Sequence, residues 1–375
     1  MKILFLSVPT GGGHHQAAKA MQSYFAGRND VECRILDIAE NVNSALAEAV
    51  SKGYILTTTI TPRIYGSLYD LLDTRGNHSQ GEVSKTIKFL STAFRKKLYA
   101  YITSYRPDVI VSTHLFATIT LNRIAKHHPM NAWLISVVTD YTIHPMWEQA
   151  RSDYFITASE LLSYQALKKW GTTEHVLPLG IPIHPKFSEK MPKSEARERL
   201  GIADQYTVLV MMGSMGYGSR TVDMLKGLDG LEEDFQVLVV CGNNHKLKSR
   251  ISKRKWKKSV HAYGFVENVD VFMDACDCII TKPGGLSTSE ALAKHLPILM
   301  LDPIPGQEDR NKEFMQNNGI ALNLSDTFTA EEAVYQLIHY PFKATYLSDN
   351  AKRFAKPYAA RDLGEFLVKL CNKNK

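Results

Sequence analysis

Cys276-Asp277-Cys278-Ile279-Ile280-Thr281-Lys282-Pro283-Gly284-Gly285-Leu286-Ser287-Thr288-Ser289-Glu290-Ala291-Leu292-Ala293 changes its hydrophobic period in the middle, and that change sets the fold class. The apolar run up to Ile280 reads as a buried strand. Lys282-Pro283-Gly284-Gly285 breaks it, and Leu286, Ala291, Leu292 and Ala293 then recur at helical spacing. Strand, glycine turn and helix start follow one another within a few residues. Two glycines let a ligand approach the backbone, and the unpaired amides and dipole of a helix start favour an anion such as phosphate. Ser287 stands near the helix start, and Glu290 one turn in, where a carboxylate can accept hydrogen bonds from ribose hydroxyls. An ordinary strand-to-helix turn is the competing reading of this stretch alone.

The rest of the second half repeats the alternation. Thr207–Met212 reads as a strand and runs into Gly213-Ser214-Met215-Gly216-Tyr217-Gly218, a second glycine turn able to hold phosphate through backbone amides. Gln236–Cys241, Ser259–Phe265 and Leu296–Leu301 read as further strands. The last leads to Pro303-Ile304-Pro305-Gly306-Gln307-Glu308-Asp309-Arg310-Asn311, where Gln307, Glu308 and Asn311 share a helix start and suit a polyhydroxylated ligand. Residues 245–258 hold eight lysines and arginines around Trp256 and no acid, which fits either a solvated helix face or a surface for anionic membrane. Four prolines (Pro178, Pro182, Pro185 and Pro192) mark a linker, and Leu347–Cys371 reads as a closing amphipathic helix.

The first half opens on another strand, Ile3–Val8, followed by Pro9-Thr10-Gly11-Gly12-Gly13-His14-His15-Gln16-Ala17-Ala18. A dinucleotide fingerprint fails here, because Gln16 stands where the third glycine must pack closest. His14, in a glycine turn at a strand's carboxyl end, is a candidate functional group; the alternative is a structural histidine. Val31–Leu36, Asp108–Ser112, Ala132–Val138 and Tyr154–Ala158 continue the strands, and their alternation with helical stretches argues for a parallel sheet. Asp140, His144 and Trp147 follow one of them and offer a carboxylate, an imidazole and a flat apolar face. Residues 41–106 differ: they are aromatic and helical in pattern, and from Val83 to Pro107 basic without an acid. That suits anionic lipid headgroups or a solvated helix, and no RNA-recognition motif accompanies it.

The whole chain bounds these readings. Its 375 residues allow two domains, and 44% hydrophobic with 22% charged residues describes a soluble globular protein. No apolar run reaches the roughly 18 residues of a membrane span, and Met1-Lys2 before the first strand leaves no room for a signal peptide. Five cysteines without a Cys-x-x-Cys pair suit reduced thiols, not a disulfide framework or a zinc site. A net charge of +7 points to an anionic partner.

Taken in order, Gly11-Gly12-Gly13-His14 with Ala17, Thr139-Asp140 with His144 and Trp147, Gly180-Ile181-Pro182-Ile183, Val240-Cys241-Gly242, Thr281–Ala293, and Pro305-Gly306-Gln307-Glu308 with Asn311 resemble the processive diacylglycerol glucosyltransferases and monogalactosyldiacylglycerol synthases. The second half is more distantly similar to the peptidoglycan GlcNAc transferase. Residues 246–258 are more basic than this family leads one to expect at that place.

The resemblance implies an α/β protein of the GT-B class, with two Rossmann-like doubly wound domains facing an interdomain cleft. It implies an acceptor domain over 1–180, a UDP-sugar domain over 181–345, and a C-terminal helix over 346–375 packing back on the first domain. Gly213, Ser214, Lys282, Gly284, Gly285 and Ser287 would then surround the diphosphate, Glu290 the ribose, the backbone near Phe265 and Val266 the uracil, and Gln307, Glu308 and Asn311 the sugar. Gly13, His144 and Trp147 would lie on the acceptor side. A diacylglycerol hydroxyl would attack the anomeric carbon in line with inversion, assisted by a general base, with His14 the first choice and Asp140 the second. The chain has no Asp-x-Asp, so the expectation is a UDP-sugar donor with no metal and no cofactor, and no nucleic-acid partner. The expected place is the cytoplasm, peripheral to the inner face of an anionic cell membrane. A transferase with another lipid acceptor, a UDP-sugar epimerase and a nucleotide-sugar-responsive membrane-binding protein without turnover are the alternatives. Glucose against galactose, the number of sugars added and the oligomeric state stay open at this level.

Overall fold

The structure is a computed structural model describing residues 1–8, 12–38, 95–213, 220–301, 303 and 306–372. It contains two compact units: Met1–Pro185 with Pro305–Gln307 and Tyr358–Lys375, and Lys186–Ile304 with Glu308–Pro357. The change between units at 185 and 186 lies within the proline-rich segment, five residues beyond the expected division at 180.

In the first unit β1 (Lys2–Ser7), β2 (Glu32–Asp37), β3 (Val109–Ser112), β4 (Trp133–Val137), β5 (Tyr154–Ile156) and β6 (Val176–Leu177) form one sheet in the order β2-β1-β3-β4-β5-β6. Every pairing is parallel. Such a sheet is covered on both faces, which is why β1 and β3 read as continuous apolar runs. Ile3, Phe5, Val109 and Val111 pack on one face with Ala18 and Met21 of the Gly13–Tyr24 helix and with Leu363 and Leu367 near the C-terminus. Leu4, Leu6 and Ile110 pack on the other with Leu121 and Ile124 of the Leu115–Ala125 helix and with Leu98 and Ile102 of the helix over 95–105.

The second unit repeats the plan. β7 (Thr207–Met211), β8 (Gln236–Val240), β9 (Val260–Tyr263), β10 (Cys278–Thr281), β11 (Ile298–Met300) and β12 (Ala321–Asn323) lie in the order β12-β11-β10-β7-β8-β9, again all parallel. In each sheet the chain reverses its direction of winding once. The first reversal lies between β1 and β3, the second between β7 and β10. Open α/β sheets bind ligands outside the carboxyl ends of the strands at such a reversal.

The short edge strands β6 and β12 were not among the expected strands, because two and three residues carry no alternation to read. The expected single helix over Leu347–Cys371 is two helices, Pro341–Phe354 and Ala359–Asn372. Pro357 separates them, since it supplies no backbone donor and disfavours helical geometry in the residue before it. The first helix belongs to the second unit, and the last helix lies in the core of the first. No helix among the described residues is long and apolar enough to cross a membrane.

Candidate functional site

At the β7/β10 reversal, Thr281 Oγ1 donates to the Met211 carbonyl at 2.6 Å and pins the ends of the two strands together. The Gly284 amide donates to the Lys282 carbonyl at 2.8 Å, closing the turn, and the Gly285–Ala293 helix begins at once. That helix has no side-chain cap and no acidic residue in its first turn. Its leading amides therefore face outward with the positive end of the dipole, the arrangement that binds phosphate. Of the three hydroxyl residues in the first turns, Ser287 is half-buried, Thr288 is buried, and Ser289 Oγ is spent on the Gly285 carbonyl at 2.8 Å.

Gly213, which opens the second glycine turn, comes close to this one. Gly213 holds a φ of 80°, a conformation that favours glycine, and it lies against the Lys282 stem, whose Cε is 2.9 Å from where a Cβ would stand. Ser214 lies outside the described residues, as do Gly11, Pro305 and residues 41–94 of the basic aromatic segment. Lys282 Nζ is 2.6 Å from Glu308 Oε1, and that oxygen is 3.6 Å from where a Gly284 Cβ would stand.

Asn311 departs from the expectation of a sugar contact. It is 1% exposed, and its Nδ2 donates to the Pro283 carbonyl at 3.1 Å, so it braces the glycine turn from behind. Glu308, also buried, is engaged by Lys282. Gln307 opens the same helix but groups with the first unit. Phe265 and Val266 lie in the loop after β9; Phe265 is 58% exposed, because the strand ends at Tyr263 and not at 265.

Glu290 is half-buried, and loss of hydration pushes its carboxyl up to about 8, with Lys186 opposing the rise and Asp270 adding to it. Lys186 was not anticipated. Its Nζ lies 3.0 Å from Asp270 Oδ1 and donates to the Glu267 carbonyl, tying the start of this unit to the Phe265 loop.

The β1/β3 reversal carries the first unit's site. Gly12 takes a φ of 78°, Gly13 starts the Gly13–Tyr24 helix, and His14 follows. His14 Nδ1 is 2.7 Å from the Thr113 carbonyl oxygen and 3.1 Å from Thr139 Oγ1. A carbonyl can only accept, so Nδ1 carries the proton and Nε2 holds the lone pair. Burial lowers the His14 pKa to about 4, against the opposing effect of the Thr113 hydrogen bond. His15 is engaged elsewhere, with Nδ1 3.4 Å from Ser7 Oγ.

Asp140, half-buried, follows Thr139 directly at the carboxyl end of β4. His144 caps the 3-10 turn Pro145–Gln149 by accepting from the Met146 amide at 3.2 Å, and burial lowers its pKa to about 4. Trp147 corrects the expectation of a flat face offered to ligand. It is 5% exposed, meets Phe155 edge-on at 6.2 Å, and its carbonyl accepts from Trp170 Nε1 at 3.0 Å. Its ring packs the Pro145–Gln149 turn against β5. Thr113 and His114 also follow a strand at this reversal, but no glycine turn marks them in the sequence, and their place beside His14 comes from the pairing of β3 with β1.

Known proteins resemble the chain over both units. Residues 14–183 match the family described as monogalactosyldiacylglycerol (MGDG) synthase, and residues 192–354 match glycosyl transferases group 1. A processive diacylglycerol beta-glucosyltransferase of Bacillus pumilus is 26% identical over 372 residues, covering 98% of this chain and 94% of its own. Among solved structures, Acinetobacter baumannii MurG is similar with a TM-score of 0.61 at 13% identity, covering 98% of this chain and 99% of its own. Anabaena Alr3699/HepE in complex with UDP and glucose is similar with a TM-score of 0.56 at 14% identity, covering 98% of this chain and all of its own (100%). The two Rossmann-like domains are those of the GT-B class.

Proposed function

Because the chain belongs to the family of monogalactosyldiacylglycerol synthases and processive diacylglycerol glucosyltransferases, we propose that it transfers a hexose from a UDP-sugar to the hydroxyl of diacylglycerol, with inversion at the anomeric carbon. The observation that carries this reading is the state of His14. Its Nδ1 proton is committed to the Thr113 carbonyl, its ring is neutral at physiological pH, and Nε2 is thereby a base. An alcohol is a poor nucleophile until its proton is taken, so a lipid hydroxyl beside Nε2 gains what it needs to attack.

In the proposed reaction the diphosphate rests on the amides of Gly284, Gly285 and Ser287, with Lys282 alongside. The helix end stabilises the negative charge of departing UDP, and no metal ion takes part. Glu290 holds the ribose, the Phe265–Val266 loop the uracil, and Gln307 with Glu308 the sugar. Asp140 is the alternative base. The names of the full-length relatives favour glucose over galactose as the sugar.

The enzyme works at the inner face of the cell membrane, held peripherally by its basic surface. Radiolabelled UDP-glucose and UDP-galactose, each offered with diacylglycerol in anionic vesicles and with EDTA present, test all of this together. The expected product is a β-linked hexosyl diacylglycerol from UDP-glucose. Labelled product only with another lipid moves the reading to that acceptor. Conversion of the free UDP-sugar without transfer makes the protein an epimerase, and UDP binding without any turnover makes it a binding protein.

A further inference from the structure

The turn after β3 does more than carry the carbonyl that sets the His14 tautomer. The next residue, His114, places its ring 4.5 Å from the His14 ring at an interplanar angle of 78°, edge to face. His114 is itself fixed. As the cap of the Leu115–Ala125 helix, its Nδ1 accepts from the Phe116 amide at 3.0 Å. Nδ1 is therefore proton-free, and the neutral ring has its hydrogen on Nε2.

The turn below is tied down at several points. The Thr113 amide and Oγ1 both donate to the Leu6 carbonyl, at 3.0 and 3.1 Å. Ser112 Oγ donates to the His114 carbonyl at 3.0 Å and accepts from Thr118 Oγ1 at the same distance. Thr118 in turn meets Ser136 Oγ of β4 at 2.8 Å. Two consecutive residues of one rigid turn thus meet His14, one through a carbonyl and one through a ring.

We propose that His114 is a positioning residue for the transfer reaction: its helix-capping imidazole fixes the plane of the His14 ring and keeps that ring from taking up a second proton. The proposal rests on the reading of His14 as the base. The carbonyl alone leaves the His14 ring able to rotate about the Nδ1–H···O direction, and the edge-to-face contact removes that freedom. The neutral His114 ring stands against His14 and shields it from water, and loss of hydration disfavours the imidazolium form of His14. Burial lowers the pKa of both rings, and charge on His14 lowers that of His114 further. Of the other titratable side chains on the elements around the pair, His15 on the Gly13–Tyr24 helix is turned to Ser7 and Asp140 stands beside Thr139 at the end of β4. Lys19 and Tyr24 lie further along the first helix, and Arg123 lies in the last turn of the Leu115–Ala125 helix.

Two substitutions separate the ring from the cap. His114→Asn keeps an acceptor at the helix start, where asparagine is among the preferred residues, and removes the ring. His114→Phe keeps a ring of similar size and removes the acceptor. The rate with UDP-glucose and diacylglycerol vesicles is followed from pH 5 to 8, together with the chemical shift of His14 Cε1 by NMR in the full chain. The native protein is expected to show no loss of rate from His14 over this range.

His114→Asn is expected to lower kcat about 10- to 100-fold with little change in KM for the UDP-sugar. It should also develop an acid limb near the ordinary histidine pKa, with the His14 shift titrating alongside. His114→Phe should keep the native pH profile while losing thermal stability. A native rate and pH profile in folded His114→Asn overturns the proposal, and so does an acid limb that appears equally in both variants. If His14→Ala keeps its turnover, the reading of His14 as the base fails; the NMR titration of His14 in His114→Asn then still decides whether His114 holds that ring neutral.

Discussion

Lys282 Nζ stands 2.6 Å from Glu308 Oε1, with side chains only 18% and 11% exposed, so the glycine turn after β10 and the Gln307–Asn317 helix are joined by an ion pair beside Gly284. Gly213 passes over the lysine stem, Gly284 lies beside the carboxylate, and Asn311 holds the Pro283 carbonyl. Glu308→Gln should therefore weaken both the fold and the site. Loss of a charged hydrogen bond in this setting costs about 1.5–3 kcal/mol. A double-mutant cycle with Lys282→Met, read by urea unfolding, is expected to show coupling of that order. Additive effects would mean that the two side chains act separately.

With Glu290 as the proposed ribose acceptor, nucleotide affinity should depend on pH. With its carboxyl pushed up to about 8, the empty site holds a proton at neutral pH. A carboxylate is the better acceptor for two ribose hydroxyls, so binding should expel that proton. UDP affinity is then expected to rise between pH 6.5 and 8.5, being about tenfold weaker at pH 7 than at the ionised limit. Calorimetry in buffers of different ionisation heat should show proton release near pH 7. Glu290→Gln should flatten the profile. A flat profile in the native protein would remove Glu290 as a ribose acceptor.

With a pKa of about 4, His14 as the proposed base should place the acid limb of the reaction below the range of an ordinary histidine. His14→Ala should lower kcat by about 10²–10⁴ and leave UDP binding nearly intact. Should Asp140→Asn abolish turnover while His14→Ala does not, the base is Asp140. The same burial has a stability consequence. His14, His114 and His144 all have lowered pKa values in the fold, so the unfolded chain takes up protons that the folded one does not. Stability should fall as pH drops through about 6.5, and unfolding midpoints at pH 7.5 and 5.5 measure it.

Legibility of the fold followed how strongly each feature is written in local pattern. Doubly buried strands such as Ile3–Leu6 and Ile279–Ile280 are apolar on both faces, and glycine turns follow them, so the two parallel sheets could be read directly. The places of His14 and Gly284-Gly285 just after strands could be read for the same reason. The hidden parts depend on contacts distant in sequence. Thr113 and His114 gain their meaning only when β3 pairs with β1 and brings them to a histidine 99 residues away from Thr113. Asn311 looks like a ligand residue until its amide is seen on the Pro283 carbonyl. Trp147 looks exposed in a polar loop until Phe155 and Trp170 close over it. A polar or aromatic residue type names a capability, and packing decides whether ligand or protein uses it.

The basic stretch after β8 is built as an amphipathic surface. Leu247 and Ile251 are buried, while Lys246, Lys248, Arg250, Lys253, Arg254, Lys255 and Lys257 are exposed. Arg254 lies 5.0 Å over the Trp256 ring, whose Nε1 donates to the Ile251 carbonyl at 3.0 Å. Each such cation near an anionic leaflet contributes about 1 kcal/mol, screened over about 8–10 Å. Replacing Lys253, Arg254 and Lys255 with glutamine should loosen binding to anionic vesicles on the order of 100-fold and reduce its dependence on salt. Equal sedimentation with neutral and anionic vesicles would leave this surface without a membrane role.

Gly364 tests how the last helix is seated. A Cβ there would stand 2.2 Å from Tyr24 Cδ1 and 3.3 Å from Phe25 Cζ, so the Ala359–Asn372 helix meets the end of the Gly13–Tyr24 helix at closer range than any side chain permits. Two effects compete in Gly364→Ala. Alanine favours a helix interior by about 1 kcal/mol over glycine, and an extra methyl in a packed contact costs about 1–3 kcal/mol. The clash should win, because the Tyr24 ring is held edge-on to Phe25 at 5.0 Å and cannot swing away without disturbing the Phe25 packing in the first unit's core. Gly364→Ala is therefore expected to lower the unfolding midpoint of the first unit and to speed hydrogen exchange across residues 359–372. Combining it with Tyr24→Ala should recover most of the loss caused by the alanine. A more stable Gly364→Ala protein would show that helix propensity governs this position, and that the last helix is not seated against Tyr24.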